Sequence, residues 1–181
     1  MLQIRLSGSG GQGLILAGII LAEAAIQDGN LAIQSQSYGP EARGGSSKSE
    51  VLISDRPIHF PKVTKPDLVL AMTQDAVNKY AFDLSGEGVL ITDTTFVKTV
   101  PDSIVKHYPL PITQTAKTSL GRDLFANIIA LGAIIALTEA TSFASITRAV
   151  LAKVPAGTEE LNKQALELGS SLIQKRLIGG L

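Results

Sequence analysis

The sequence predicts an α/β domain of three layers, with an open, mostly parallel sheet followed by C-terminal helices. Three observations predict it. Strand-length apolar segments alternate with helix-length segments through the first two-thirds of the 181 residues. One of them, residues 67–72, is apolar at nearly every position, as suits a central parallel strand covered on both faces. A glycine-rich turn, Gly8-Ser9-Gly10-Gly11-Gln12-Gly13, separates the first strand from the first helix, the arrangement found in Rossmann- and flavodoxin-like sheets.

Each element has a local cause. Residues 3–7 form a short strand, and residues 11–27 a helix with an apolar face at Leu14, Ala17, Leu21 and Ala24. Asp28-Gly29-Asn30 ends that helix with turn chemistry. A strand at 31–35 leads into a Gly- and Ser-rich loop at 38–48, and residues 48–53 alternate polar and apolar as a third strand. A short helix at 74–80, a strand at 88–92 ending at Asp93 and a strand at 103–107 follow. Residues 109–111 form a proline-rich connection.

The last third is helical. Residues 122–137 form a long apolar helix, and residues 143–152 a second. Pro155-Ala156-Gly157 breaks the chain, and Thr158 caps a final helix that reaches residue 178. Glu159 and Glu160 stand in its first turn and Lys175 and Arg176 in its last, the order the helix dipole favours. Gly179-Gly180 stops it. Residues 1–181 read as a single domain.

Composition excludes several chemistries. Sixteen basic residues balance 16 acidic ones, which argues against nucleic acid or an anionic membrane as a partner. Cysteine is absent, so the chain has no thiolate for a disulfide, a zinc site or an iron–sulfur cluster. The longest apolar stretch, residues 124–137, is shorter than the roughly 20 residues a membrane span needs. The start shows no targeting signal, and a cytoplasmic location is expected. Hydrophobic residues make up 45% and charged residues 18%, a balance that suits a chain covering part of its surface with other subunits.

Two loops carry the candidate chemistry. Gly8, Gly10, Gly11, Gln12 and Gly13 lie between strand and helix, where backbone N–H groups and the helix N-terminus can cradle an anion. A structural alternative is a turn that lets the helix pack close to the sheet. A dinucleotide reading needs an acid at the end of the second strand, and Gln34-Ser35-Gln36 supplies none. In the second loop, Gly39-Pro40 sets a turn. There Arg43, Gly44, Gly45 and Ser46 combine a guanidinium, permissive backbone and a hydroxyl suited to phosphate or carboxylate. Both loops leave carboxyl ends of strands and so belong to one rim.

The glycine loop, Ser37-Tyr38-Gly39-Pro40-Glu41-Ala42-Arg43-Gly44-Gly45, Asp67-Leu68-Val69-Leu70-Ala71-Met72 before Thr73-Gln74, and Asn127 with Leu131-Gly132-Ala133 together define a resemblance. The chain resembles, over essentially its whole length, the gamma subunit of 2-oxoacid:ferredoxin oxidoreductases. That resemblance implies a noncatalytic subunit that helps bind coenzyme A and assemble the complex, with the 2-oxoglutarate type favoured. It implies coenzyme A at Arg43, Gly44, Gly45 and Ser46, and thiamine diphosphate, Mg²⁺ and iron–sulfur clusters on partner subunits. The implied partners are alpha, beta and ferredoxin-like delta subunits, with ferredoxin as acceptor. Single-chain pyruvate enzymes carry a lysine soon after the first loop, where this chain has Leu14-Ile15-Leu16. The alternatives are a stand-alone dinucleotide-binding oxidoreductase or regulator, and a scaffold whose loops touch only other subunits.

Other residues read as structural. Lys117-Thr118-Ser119-Leu120-Gly121-Arg122 reads as the approach and cap of the long apolar helix. Asn127 is expected to pair with nearby backbone. Asp93 reads as a turn former, His59 as a loop residue and His107 as a strand residue.

Overall fold

Six strands form one sheet in the computed structural model, which describes residues 1–38 and 46–178. They are β1 (Leu2–Ser9), β2 (Leu31–Tyr38), β3 (Ser46–Ser54), β4 (Leu68–Ala71), β5 (Val89–Asp93) and β6 (Lys106–Leu110). The spatial order is β2-β3-β1-β4-β5-β6. The helices are α1 (Leu14–Gln27), α2 (Gln74–Tyr80), α3 (Ile112–Leu120), α4 (Ala126–Thr138), α5 (Phe143–Leu151) and α6 (Glu159–Ile178).

The sheet is mixed. β1, β4, β5 and β6 pair in parallel, while β3 runs antiparallel to both β1 and β2. Five strands therefore point one way and β3 the other. The connection between β2 and β3, residues 39–45, is too short for the crossover of a dozen or more residues that a parallel pair needs. The chain folds back, and β3 enters between β2 and β1.

Strand periodicity divides the core between the two faces. Ile4 and Leu6 of β1, Val51 and Ile53 of β3, and Leu68 and Leu70 of β4 join residues of α1 and α3 to α6 in the larger cluster. The opposite face holds Val69, Ala71 and Leu90 against Ala76, Val77 and Tyr80 of α2. β4 is buried on both faces, as its apolar run requires.

The structure corrects three sequence expectations. Residues 117–120 are not the lead-in and cap of the long apolar helix; they end a separate helix, α3, whose C-cap Gly121 has φ 75°. Ile112, Ala116 and Leu120 form its buried stripe. The long apolar helix begins only at Ala126, after a 3₁₀ turn at Asp123–Phe125. The sixth strand lies at Lys106–Leu110 and contains Pro109. Proline is tolerated there because β6 is an edge strand, with one side free of ladder bonds.

Helices α4 and α6 cross with their backbones in contact. A Cβ on Gly132 would stand 2.1 Å from the Leu166 carbonyl oxygen, and one on Gly169 would stand 1.9 Å from that of Ile129. Helix α5 is fixed differently. Asp28, the C-cap of α1, accepts hydrogen bonds from the Thr141, Ser142 and Ser145 hydroxyls and from the Ser142 N–H. Ser142 itself caps α5 by accepting from the Ser145 N–H at 3.1 Å. Burial opposes ionisation of Asp28, but the bonds from Ser145, Thr141 and Ser142 outweigh it and hold the carboxyl well below the usual carboxylate range.

Three outcomes are expected. Gly169→Ala will lower stability by about 1–3 kcal/mol in denaturant unfolding, because the helices must separate to admit the methyl. Gly86→Ala, where a Cβ meets nothing within 4 Å, will change it by less than about 0.5 kcal/mol. Asp28→Asn will destabilise by roughly 1–2 kcal/mol at neutral pH. Because the folded carboxyl is the stronger acid, that difference holds above the unfolded value of about 4 and shrinks as pH falls below it, which unfolding curves across pH will show.

Candidate functional site at the carboxyl rim of the sheet

The loops that follow β1, β2, β4, β5 and β6 all leave the same rim. Ser9 at the end of β1 pairs with Ser46 at the start of β3, and Tyr38 at the end of β2 pairs with Ser47. The second loop, residues 39–45, therefore springs from this rim and returns to it beside the glycine loop. Arg43, Gly44 and Gly45 lie outside the described residues; Ser46 is the first described residue after them.

The glycine loop is held from both ends. Gly13 has φ 71° and Gly11 φ 92°, left-handed backbone that disfavours any residue with a Cβ. A Cβ on Gly13 would also meet Asn127 Nδ2 at 2.5 Å, and one on Gly8 would meet Gln12 Oε1 at 2.2 Å. Asn127 donates from Nδ2 to the Gly13 carbonyl at 3.2 Å and accepts from the Ile128 N–H at 2.9 Å. The expected backbone pairing of Asn127 thus ties α4 to the loop. The Gln12 side chain turns back, its Oε1 accepting from the Ser9 N–H at 2.8 Å. Gln12 shapes the loop through that bond, and close packing accounts for Gly8 and Gly13. Gly10 and Gly11 are exposed. Helix α1 begins at Leu14 with no side-chain cap and no acid in its first turn, and Asp123, which pairs with Lys117 at 3.6 Å, is the carboxylate that lines the cleft at this loop.

A cleft of about 280 Å³ opens at this loop, lined by Ser9, Gly11, Gln12, Phe96, Thr113 and Leu124 among others. Asp93 lies behind it, fully buried. Its oxygens accept from the Thr95 N–H at 3.1 Å and from the Thr113 N–H at 3.2 Å, so it forms the expected turn and also anchors the start of α3. On the other side of the rim, Lys79 of α2 donates from Nζ to Ser46 Oγ at 3.4 Å. Sequence reasoning missed Lys79, because nothing local in α2 marks it as a neighbour of the second loop. His59 is exposed. His107 lies in β6 with Nε2 2.8 Å from Thr92 Oγ1, and burial with the nearby Arg176 charge pushes its pKa down.

The topology bears on the dinucleotide alternative. In a doubly wound dinucleotide fold, the second strand lies beside the first and presents its terminal acid to the ribose. Here β3 lies between them, which places the end of β2 two strand spacings, about 9.6 Å, from β1. The end of β2 carries no acid in any case.

Three known proteins frame this geometry. The 2-oxoglutarate synthase subunit KorC of Methanocaldococcus jannaschii is 49% identical over 170 residues, which covers 92% of this chain and 91% of that one. A keto/oxoacid ferredoxin oxidoreductase gamma subunit from Geobacter sulfurreducens has a structure that superposes with a TM-score of 0.88. It is 48% identical and covers 97% of this chain and 100% of that one. The 2-oxoglutarate:ferredoxin oxidoreductase of Magnetococcus marinus, solved with 2-oxoglutarate, coenzyme A and succinyl-CoA bound, shares the fold at TM-score 0.85. It is 24% identical and covers 97% of this chain and 31% of that one. The family model described as pyruvate ferredoxin/flavodoxin oxidoreductase matches residues 3–172. The chain belongs to the pyruvate ferredoxin/flavodoxin oxidoreductase family, and its full-length relatives there are separate subunits of oxoacid oxidoreductases.

Proposed function

We propose that this chain is the noncatalytic gamma subunit of a 2-oxoglutarate:ferredoxin oxidoreductase, with residues 1–181 acting as one domain that helps bind coenzyme A and assemble the complex. The assembled enzyme would convert a 2-oxoacid, coenzyme A and oxidised ferredoxin into acyl-CoA, carbon dioxide and reduced ferredoxin. The observation that carries the reading is the whole-length match, near half identity, to one protein named as a 2-oxoglutarate synthase subunit and another named as a gamma subunit.

The rim supports the coenzyme A role. The exposed Gly10 and Gly11, the open N-terminus of α1, and Ser46 beside Lys79 suit the phosphates of a nucleotide-type cosubstrate. Arg43, Gly44 and Gly45 complete the proposed contact from the second loop, with Gly8, Gln12 and Gly13 shaping the first. The chain has no cysteine to ligate an iron–sulfur cluster. In this reading thiamine diphosphate with Mg²⁺ and the iron–sulfur clusters belong to alpha, beta and ferredoxin-like delta subunits. No described helix is long and apolar enough to cross a membrane. The reading places the complex in the cytoplasm.

Anaerobic affinity purification of the chain from its native cell tests the proposal. The eluate is expected to hold thiamine- and cluster-bearing subunits and to reduce viologen in a coenzyme A-dependent reaction, fastest with 2-oxoglutarate among a panel of 2-oxoacids. The chain alone is expected to reduce none. Elution without such partners would refute the subunit role, and a faster reaction with pyruvate or a branched-chain oxoacid would refute the substrate.

A further inference from the structure

Three cations gather around one aromatic ring where the second loop returns to the sheet. The ring centroid of Tyr80 lies 5.1 Å from the Arg5 guanidinium carbon, 5.4 Å from Lys79 Nζ and 5.7 Å from Lys48 Nζ. Tyr80 is buried at the end of α2, and Arg5 is buried in β1. Arg5 Nε donates to Glu50 Oε1 at 2.8 Å, and its Nη1 pairs with Asp83. A buried guanidinium needs such partners. Lys48 shares the same Glu50 oxygen at 3.1 Å. The cluster therefore sets three positive charges against two carboxylates, Glu50 and Asp83.

The ring explains how the excess charge is kept in place. A carboxylate holds a cation by cancelling its charge, whereas the face of an aromatic ring holds it through the quadrupole and leaves the charge intact. Tyr80 thus holds Lys79 without neutralising it, while Lys48 is already paired with Glu50. Lys79 also donates to Ser46 Oγ. That hydroxyl accepts from the ammonium and keeps its own proton to donate onward. The Lys79 ammonium and the Ser46 hydroxyl, 3.4 Å apart, supply two donors for the oxygens of a phosphoryl group, and Lys48 approaches the same ring from its pair with Glu50.

We infer that Lys79 and the Ser46 hydroxyl form a phosphoryl-binding site on the β3–α2 side of the rim, with Lys48 on the same ring as a secondary charge, and that it holds a phosphate of coenzyme A. The inference rests on the reading of this rim as the coenzyme A site, and it names the side chains that carry the charge.

Equilibrium dialysis of the assembled complex with labelled coenzyme A, and with dephospho-coenzyme A, tests it. Lys79→Ala is expected to raise Kd for coenzyme A about tenfold, the worth of one charge-assisted contact, and Lys48→Ala to raise it by less. Lys79→Arg, which keeps the charge, is expected to bind coenzyme A more tightly than Lys79→Ala. If the weakening vanishes with dephospho-coenzyme A, the site takes the 3′-phosphate; if it persists, the site takes the diphosphate. An unchanged Kd for both ligands in both alanine variants, in a complex whose wild type binds coenzyme A, would overturn the inference. A wild-type complex that binds no coenzyme A would overturn the underlying reading instead.

Discussion

Eight residue pairs, from Leu2 against Ile53 to Ser9 against Ser46, tie β1 to β3, and this ladder sets where both glycine loops stand. Side chains alternate along it. Ile4 and Leu6 face the larger core together with Val51 and Ile53, while Arg5 and Glu50 meet on the other face. A slip of one residue would turn the apolar side chains of the strand that slips, Ile4 and Leu6 or Val51 and Ile53, to the opposite face. At about 1.5–3 kcal/mol for each of the two, the cost is roughly 3–6 kcal/mol, a large share of the stability of a domain. The register is therefore fixed by burial, and with it the return point of the second loop beside the first.

The same ladder makes the rim asymmetric. β3 separates the ends of β1 and β2, so the strand that would carry a ribose-binding acid in a dinucleotide site stands too far away. In its place the chain brings up α2, whose Lys79 and Tyr80 reach the start of β3. The larger helical layer supports this from behind. Glycines at the α4–α6 crossing let the backbones touch, and Asn127 at the start of α4 carries that rigidity to the carbonyl of Gly13. A rigid scaffold behind the loops that bind ligands is the usual arrangement.

The sequence was most informative where local physics decides. The glycine loop, the turn at Asp28-Gly29, the apolar β4 and the span of α2 follow from conformational freedom and periodicity, and the structure has them where expected. Helix α3 was hidden because three threonines and a serine among its nine residues weaken helix propensity. Its buried stripe at Ile112, Ala116 and Leu120 was the usable signal. β6 was displaced in the reading because Pro109 looked like a break, and only the edge position of the strand makes it acceptable. The antiparallel insertion of β3 depends on a short connection and on pairing partners distant in sequence. At the site, the contacts of Lys79 with Ser46 and of Asn127 with Gly13 span 33 and 114 positions, separations over which no local pattern reports.

The central claim is that this chain contributes its own rim to coenzyme A binding within the complex. Hydrogen–deuterium exchange of the assembled complex, with and without coenzyme A, tests it most directly. The account predicts slower exchange on binding in peptides that cover residues 8–13 and 37–48, with no change at the α4–α6 crossing. Unchanged exchange in both rim segments, with protection confined to the partner subunits, would contradict it.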